Sequence, residues 1–159
     1  MRPLLYLALL TLAAPAWSLS CLRPDIVDTY ERARDAKEGF WIIHGAIRAD
    51  GPLAGPQPDA DGRNKDGASA STRVRVLGRG LRTDGFHSIP PQDVTLTITC
   101  LAHWCGSVAP DQDLFMAIEV KPTGPELVID PCSSRVVPYT KDGETRLLRC
   151  LRDGVCERE

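Results

Sequence analysis

Six cysteines and three histidines carry most of the reactive or ligating chemistry in this 159-residue chain: Cys21, Cys100, Cys105, Cys132, Cys150 and Cys156, with His44, His87 and His103. Cys100-x-x-His103-x-Cys105 brings together two sulfurs and an imidazole, a reasonable start for a zinc site if both sulfurs were thiolates. A closed site needs a fourth ligand, and an oxidising compartment favours a disulfide over thiolates, so no metal is expected. Trp104-Cys105-Gly106 begins like a dithiol redox motif, but Val108 occupies the place of the second cysteine. His44 lies in an apolar stretch with no Gly-x-Ser-x-Gly nucleophile elbow to serve, which suits a hydrogen-bonded structural histidine. His87 follows Asp84-Gly85-Phe86 and is expected in an exposed loop. Asp25, Asp28 and Glu31 fall at helical spacing on a solvated face. Asn64, Asp66 and Gly67 match part of a calcium loop, but Gly62 and Arg73 stand where its first Asp and closing Glu belong. No phosphate loop or paired-carboxylate signature is present. These patterns imply a non-enzyme with no catalytic residue and no cofactor.

The compartment follows from the first residues. Met1-Arg2 is a short positive region and Leu4 to Ala14 an apolar one, too short to span a bilayer, so residues 1–20 read as a signal peptide. Cleavage after Ser18 frees Leu19; cleavage after Ser20 frees Cys21. The second would make Cys21 the mature N-terminus. A lipid anchor on Cys21 is a minor alternative, because Ser18 holds the place of the usual Leu and no polar tether follows. Loss of Arg2 with the leader takes the formal charge from −2 to −3, which argues against a nucleic-acid or membrane-surface binder. Fifteen Arg against four Lys, with a single Asn, suggest a GC-rich bacterial genome and hence a periplasmic or secreted protein.

Residues 21–159 are one domain's worth of chain. Asp25 to Lys37 predicts a helix, with Pro24 before it and Asp25 able to cap it. Phe40 to Arg48 predicts a central strand, apolar on both faces, with a bulge or coil at Gly45. Residues 50–71, rich in Gly and Pro and without periodicity, predict a long mobile loop. Val74 and Val76 alternate with Arg73 and Arg75, and Gly78 and Gly80 allow a bend. Val94, Leu96, Ile98 and Cys100 alternate with threonines in the clearest period-2 run. Leu114 to Val120, with Leu114, Met116, Ile118 and Val120 inward, and Glu126 to Ile129 form a hairpin around Lys121 to Pro125. Glu144 to Leu151 predicts a C-terminal helix. Helix, five strands with bends at glycines, then helix predicts a mainly β protein: a small closed barrel and not a flat sandwich, since closure removes sheet edges. Arg73, Arg75, Arg79 and Arg82 lack the interleaved aromatics of a nucleic-acid face and read as a solvated strand surface, with an anionic glycan or protein partner as the weaker alternative.

Four features carry a resemblance to a family. They are Cys21 at or beside the mature N-terminus, the strand Ile42-Ile43-His44-Gly45-Ala46-Ile47 after a short helix, Cys105-Gly106 ahead of the hairpin, and Leu127-Val128-Ile129-Asp130-Pro131-Cys132 followed by Val136-Val137-Pro138-Tyr139. In these the chain resembles the netrin-like domains, including the tissue inhibitors of metalloproteinases. The resemblance implies a five-stranded OB-like Greek-key barrel, disulfide-stapled and carrying a short helix at each end, and, for the inhibitors, an N-terminal cysteine whose amine and carbonyl chelate a target protease's zinc. Here Cys21 would take that role and Leu22 would enter the specificity pocket. Leu22 stands where the inhibitors have Ser or Thr, and Arg23 where they have a second cysteine.

Six cysteines allow fifteen complete pairings. Proximity favours Cys100–Cys105 and Cys150–Cys156, leaving Cys21–Cys132; a Cys21–Cys105 link is the alternative nearer the inhibitors' pattern. The reading is thus an exported binding or structural module, expected to be a monomer, with a protein partner. That partner is a protease if Cys21 acts as an inhibitory terminus. Neither nucleic acid nor a transmembrane helix is expected.

Overall fold

The computed structural model describes residues 21–53 and 55–158; the predicted signal peptide and its cleavage sites lie outside the described residues. The element order is α1 (Ile26–Asp35), β1 (Gly39–Arg48), β2 (Ser69–Arg82), β3 (Gly85–Ser88), β4 (Gln92–Leu101), β5 (Trp104–Cys105), β6 (Leu114–Lys121), β7 (Gly124–Ile129), β8 (Val136–Pro138) and α2 (Lys141–Asp153). Five of these strands close a ring. β1 pairs with β2, β2 with β4, β4 with β7, β7 with β6 and β6 back with β1. Only the β4–β7 pairing is parallel, which gives the expected OB-like Greek-key order.

Why β1 and β6 are apolar on both faces is now clear. Ile43, Ile47, Leu114, Met116 and Ile118 fill the barrel with Val74, Val76, Val94, Leu96, Ile98, Leu127 and Ile129. Their neighbours Ile42, Phe115 and Ala117 point outward and are covered by Ile26 and Val27 of α1 and Leu147 and Cys150 of α2. A strand with a core on each side must spend its polar positions elsewhere. Val120, expected inward, is 37% exposed. Its cross-strand partner is Gly39, which has no side chain to cover it.

Gly45 makes no bulge. The register runs unbroken through His44↔Arg79, Gly45↔Gly78 and Ala46↔Leu77. A Cβ on Gly45 would overlap the Leu77 carbonyl and Gly78 Cα, and one on Gly78 would overlap the His44 carbonyl, so close strand approach is what requires both glycines. β2 is correspondingly long: it pairs with β4 from Ser69 to Val76, with β1 from Arg75 to Gly80, and with β3 from Arg79 to Arg82. It begins inside the segment expected as loop, where the Ser71 and Thr97 hydroxyls lie 2.9 Å apart. The last turn of that segment also docks: Gly67 N–H donates to the Cys100 carbonyl at 3.1 Å and Ala102 N–H to Asp66 Oδ1 at 2.7 Å. Asp66, one of the calcium-like residues, is therefore a hairpin support.

Both helices start on side-chain caps. Asp25 Oδ1 accepts from Val27 N–H at 2.8 Å, and Thr140 Oγ1 from Gly143 N–H at 3.0 Å. α1 stops two residues short of Lys37, while α2 extends past both expected ends to a left-handed Gly154 with φ 70°.

Candidate functional site

The parallel register Ile98↔Ile129 sets the ends of β4 and β7 side by side, so Cys100 and the turn at Pro131-Cys132 emerge at one end of the barrel. Two disulfides close that end. Cys21–Cys132 joins residues 111 apart in sequence and holds the start of the described chain against the turn after β7. Cys100–Cys105 ties β4 to β5 across the tight hairpin Leu101-Ala102-His103-Trp104, in which Ala102 takes φ 51°. The third bond, Cys150–Cys156, folds the tail back on α2. With Cys100 and Cys105 bonded to each other, neither is a thiolate for the metal or dithiol chemistry weighed from sequence.

Further contacts make this end rigid. Thr29, buried on α1, donates to the Ser134 carbonyl at 2.6 Å, seating the helix on the turn after Cys132. Asp25 caps α1 and accepts from Arg146 Nη1 of α2 at 2.8 Å. Burial opposes ionisation of Asp25, but the hydrogen bonds from Arg146 and from the Asp28 and Val27 N–H groups outweigh it and hold the carboxyl below the ordinary carboxylate value. Gly106 lies so close to Ile129 that a Cβ there would overlap its carbonyl.

Among charged neighbours such as Arg23 and Asp130, this end also presents apolar side chains to solvent. Leu22 is 91% exposed, Leu101 50% and Trp104 37%, with the His103 ring 4.0 Å from the Trp104 ring. Leu101 and Trp104 are a directly opposed cross-strand pair, so both are fixed by the disulfide next to them. The sequence points to Cys21 and Leu22 but not to Leu101 and Trp104. The signal available was a large apolar pair inside a short disulfide loop.

The remaining candidates are scattered. His44 is nearly enclosed: Tyr139 stacks on it at 3.9 Å, and Phe86 and Phe115 flank it. Arg79 Nη2 lies 2.8 Å from Nδ1 and Asp113 Oδ1 2.8 Å from Nε2. A guanidinium can only donate, so Nδ1 accepts and Nε2–H donates to Asp113. Arg79 and the Tyr139 hydroxyl both reach Glu144 of α2, and that hydrogen bond raises the Tyr139 pKa. Through Glu144 the cluster clasps the barrel to α2. His87 sits on β3 and not in a loop, with Nε2 2.8 Å from Asp84. The arginines do not form one stripe. Arg75 pairs with Asp93, Arg79 belongs to the His44 clasp, and Arg82 stands at the other end of β2 from Arg73.

Comparison with known proteins returns no matching family model, no matching curated protein and no matching solved structure.

Proposed function

We propose that this protein is an exported, non-enzymatic binding module that engages a protein partner through the disulfide-pinned end of its barrel. One observation carries the reading. Two covalent bonds and a buried helix cap fix two segments distant in sequence at one end, and these segments present Leu22, Leu101 and Trp104 to solvent. Apolar anchors already held in place lose little freedom on binding, which is what favours them as interface hot spots. Three disulfides, with no helix among the described residues long and apolar enough to cross a membrane, fit an extracellular or periplasmic protein.

The test uses affinity capture from a native periplasmic extract, with the captured protein then purified and titrated. A Leu22→Asp/Trp104→Ala variant is expected to lose binding while still unfolding cooperatively above the assay temperature. Undiminished binding by that variant would remove the barrel end from the mechanism.

A second reading keeps the resemblance to metalloproteinase inhibitors. An exposed Cys21 pinned through its own sulfur supports it, because amine and carbonyl are then left to face a protease's zinc. It needs cleavage after Ser20. Protein beginning at Cys21 should inhibit a zinc endopeptidase, and protein beginning at Leu19, its amine displaced, should not. Lipid anchoring is the competing fate of the same atom: a sulfur bonded to Cys132 cannot carry a thioether-linked lipid.

A further inference from the structure

A second surface lies at the opposite end of the barrel. β1 pairs with β6 from Gly39 to Gly45, but with β2 only from Ile43 onward. Past Gly80, β2 turns away to pair with β3. The two strands splay, and residues Gly39 to Ile42 have no strand beside them on the β2 side. A cleft of about 600 Å³ fills the gap, within the usual range for ligand sites.

The lining shows how the cleft meets the strand. Phe40, Trp41, Ile42 and Ile43 all border it. Successive side chains of a strand point to opposite faces, so four in a row can border one cleft only if it looks onto the strand's edge. That edge carries backbone N–H and C=O groups without a ladder partner. The walls differ in origin: Tyr30, Leu81 and Leu151 on the helix side, Ile89 and Pro90 on the barrel side. Both are apolar. Arg82 is the one charged residue in the lining, is exposed, and has no carboxylate partner among the described residues.

We infer that this cleft takes an extended peptide segment of a partner protein, which adds a strand to the free edge of β1 and brings a carboxylate to Arg82. The edge recognises extended backbone; the two apolar walls receive alternate side chains; the unpaired guanidinium selects an acidic group. The site is independent of the disulfide-pinned end, so either surface can fail its test without the other.

The probe is a synthetic library of acidic-ended hexapeptides in which Val, Ile, Leu or Phe alternate with any residue, screened on the full mature protein. Selected peptides should saturate and shift the amide resonances of Gly39 to Ile42, Leu81 and Arg82. N-methylation of alternate peptide amides, which blocks strand pairing but keeps the side chains, should weaken binding about tenfold or more, and Arg82→Glu should weaken it about tenfold with a flatter salt dependence. Four results would overturn the inference. They are no saturable member at millimolar peptide, equal binding by N-methylated peptides (a generic apolar site), shifts confined to Leu101 to Trp104, and peptide-independent, concentration-dependent shifts along β1 (pairing of two copies).

Discussion

The two ends of the barrel are built on opposite principles. At one end, Cys21–Cys132, Cys100–Cys105, the buried Thr29 contact and the Asp25–Arg146 pair leave little freedom, and the exposed apolar groups project from a fixed base. At the other, β1 and β2 part, no disulfide crosses the barrel wall, and the apolar groups line a recess. A projecting rigid surface suits insertion into a partner; a recessed strand edge suits reception of one. One small barrel thus carries two unlike surfaces, and its covalent ties are concentrated at the end that holds Cys21.

The sharpest way to break the contrast is to remove the long tie. Replacing Cys21 and Cys132 together by Ala should lower stability by about 4–5 kcal/mol in the chain-entropy picture. Replacing Cys100 and Cys105 should cost about 2 kcal/mol, since its loop is short. Denaturant unfolding of both variants measures the difference, and equal losses would mean that the long tie constrains little.

Next in size is the pair beneath that end. Arg146→Ala removes the guanidinium that donates to the Asp25 carboxylate, itself 11% exposed, and about 2 kcal/mol of stability should be lost. The pH dependence has a definite sign. Because the folded Asp25 pKa lies below its unfolded value, its contribution is complete above about pH 4 and disappears as pH falls through the folded value. Acid titration of stability should therefore be shallower in Asp25→Asn than in the wild type.

Two glycines give the most local comparison. Gly106→Ala forces a methyl group onto the Ile129 backbone at the pinned end and should cost about 2–3 kcal/mol. Gly39→Ala, at the open end, meets only Val120 Cβ at 3.9 Å, and its effect should stay within about 0.5 kcal/mol. At the cleft, Trp41→Ala should cost about 1–2 kcal/mol, since that residue is 38% exposed, and should weaken capture of extended peptides severalfold, read by calorimetric titration well below the variant's melting temperature.

The barrel was legible in the sequence because its strands obey local rules. The alternation from Val94 to Cys100 and the two-faced run from Phe40 to Ile47 each report the side of the chain that is buried, and Asp25 announces its cap. The surfaces were not legible in the same way. The cleft exists because β1 gains its second neighbour, β2, only at Ile43, a matter of register between residues far apart in sequence. Arg79 meets His44 for the same reason, 35 residues away. Gly45 shows the limit plainly: a glycine required by a distant strand looks, in sequence, like one required by a local bulge. β3 escaped notice because four residues with two exposed polar positions carry almost no periodicity.

The pairing of cysteines also has a consequence for how the molecule comes to exist. The Cys100–Cys105 bond lies wholly inside the loop closed by Cys21–Cys132, so the cysteines do not join in the order in which they emerge. An oxidant acting on a chain delivered from its N-terminus meets Cys21 and Cys100 before either native partner, and can link them. Reaching the native set then demands either that Cys21 wait, reduced, until Cys132 appears, or that a wrong bond be exchanged by thiol attack. Yield in an oxidising compartment should therefore depend on disulfide isomerisation, although two of the three bonds close loops of only a few residues.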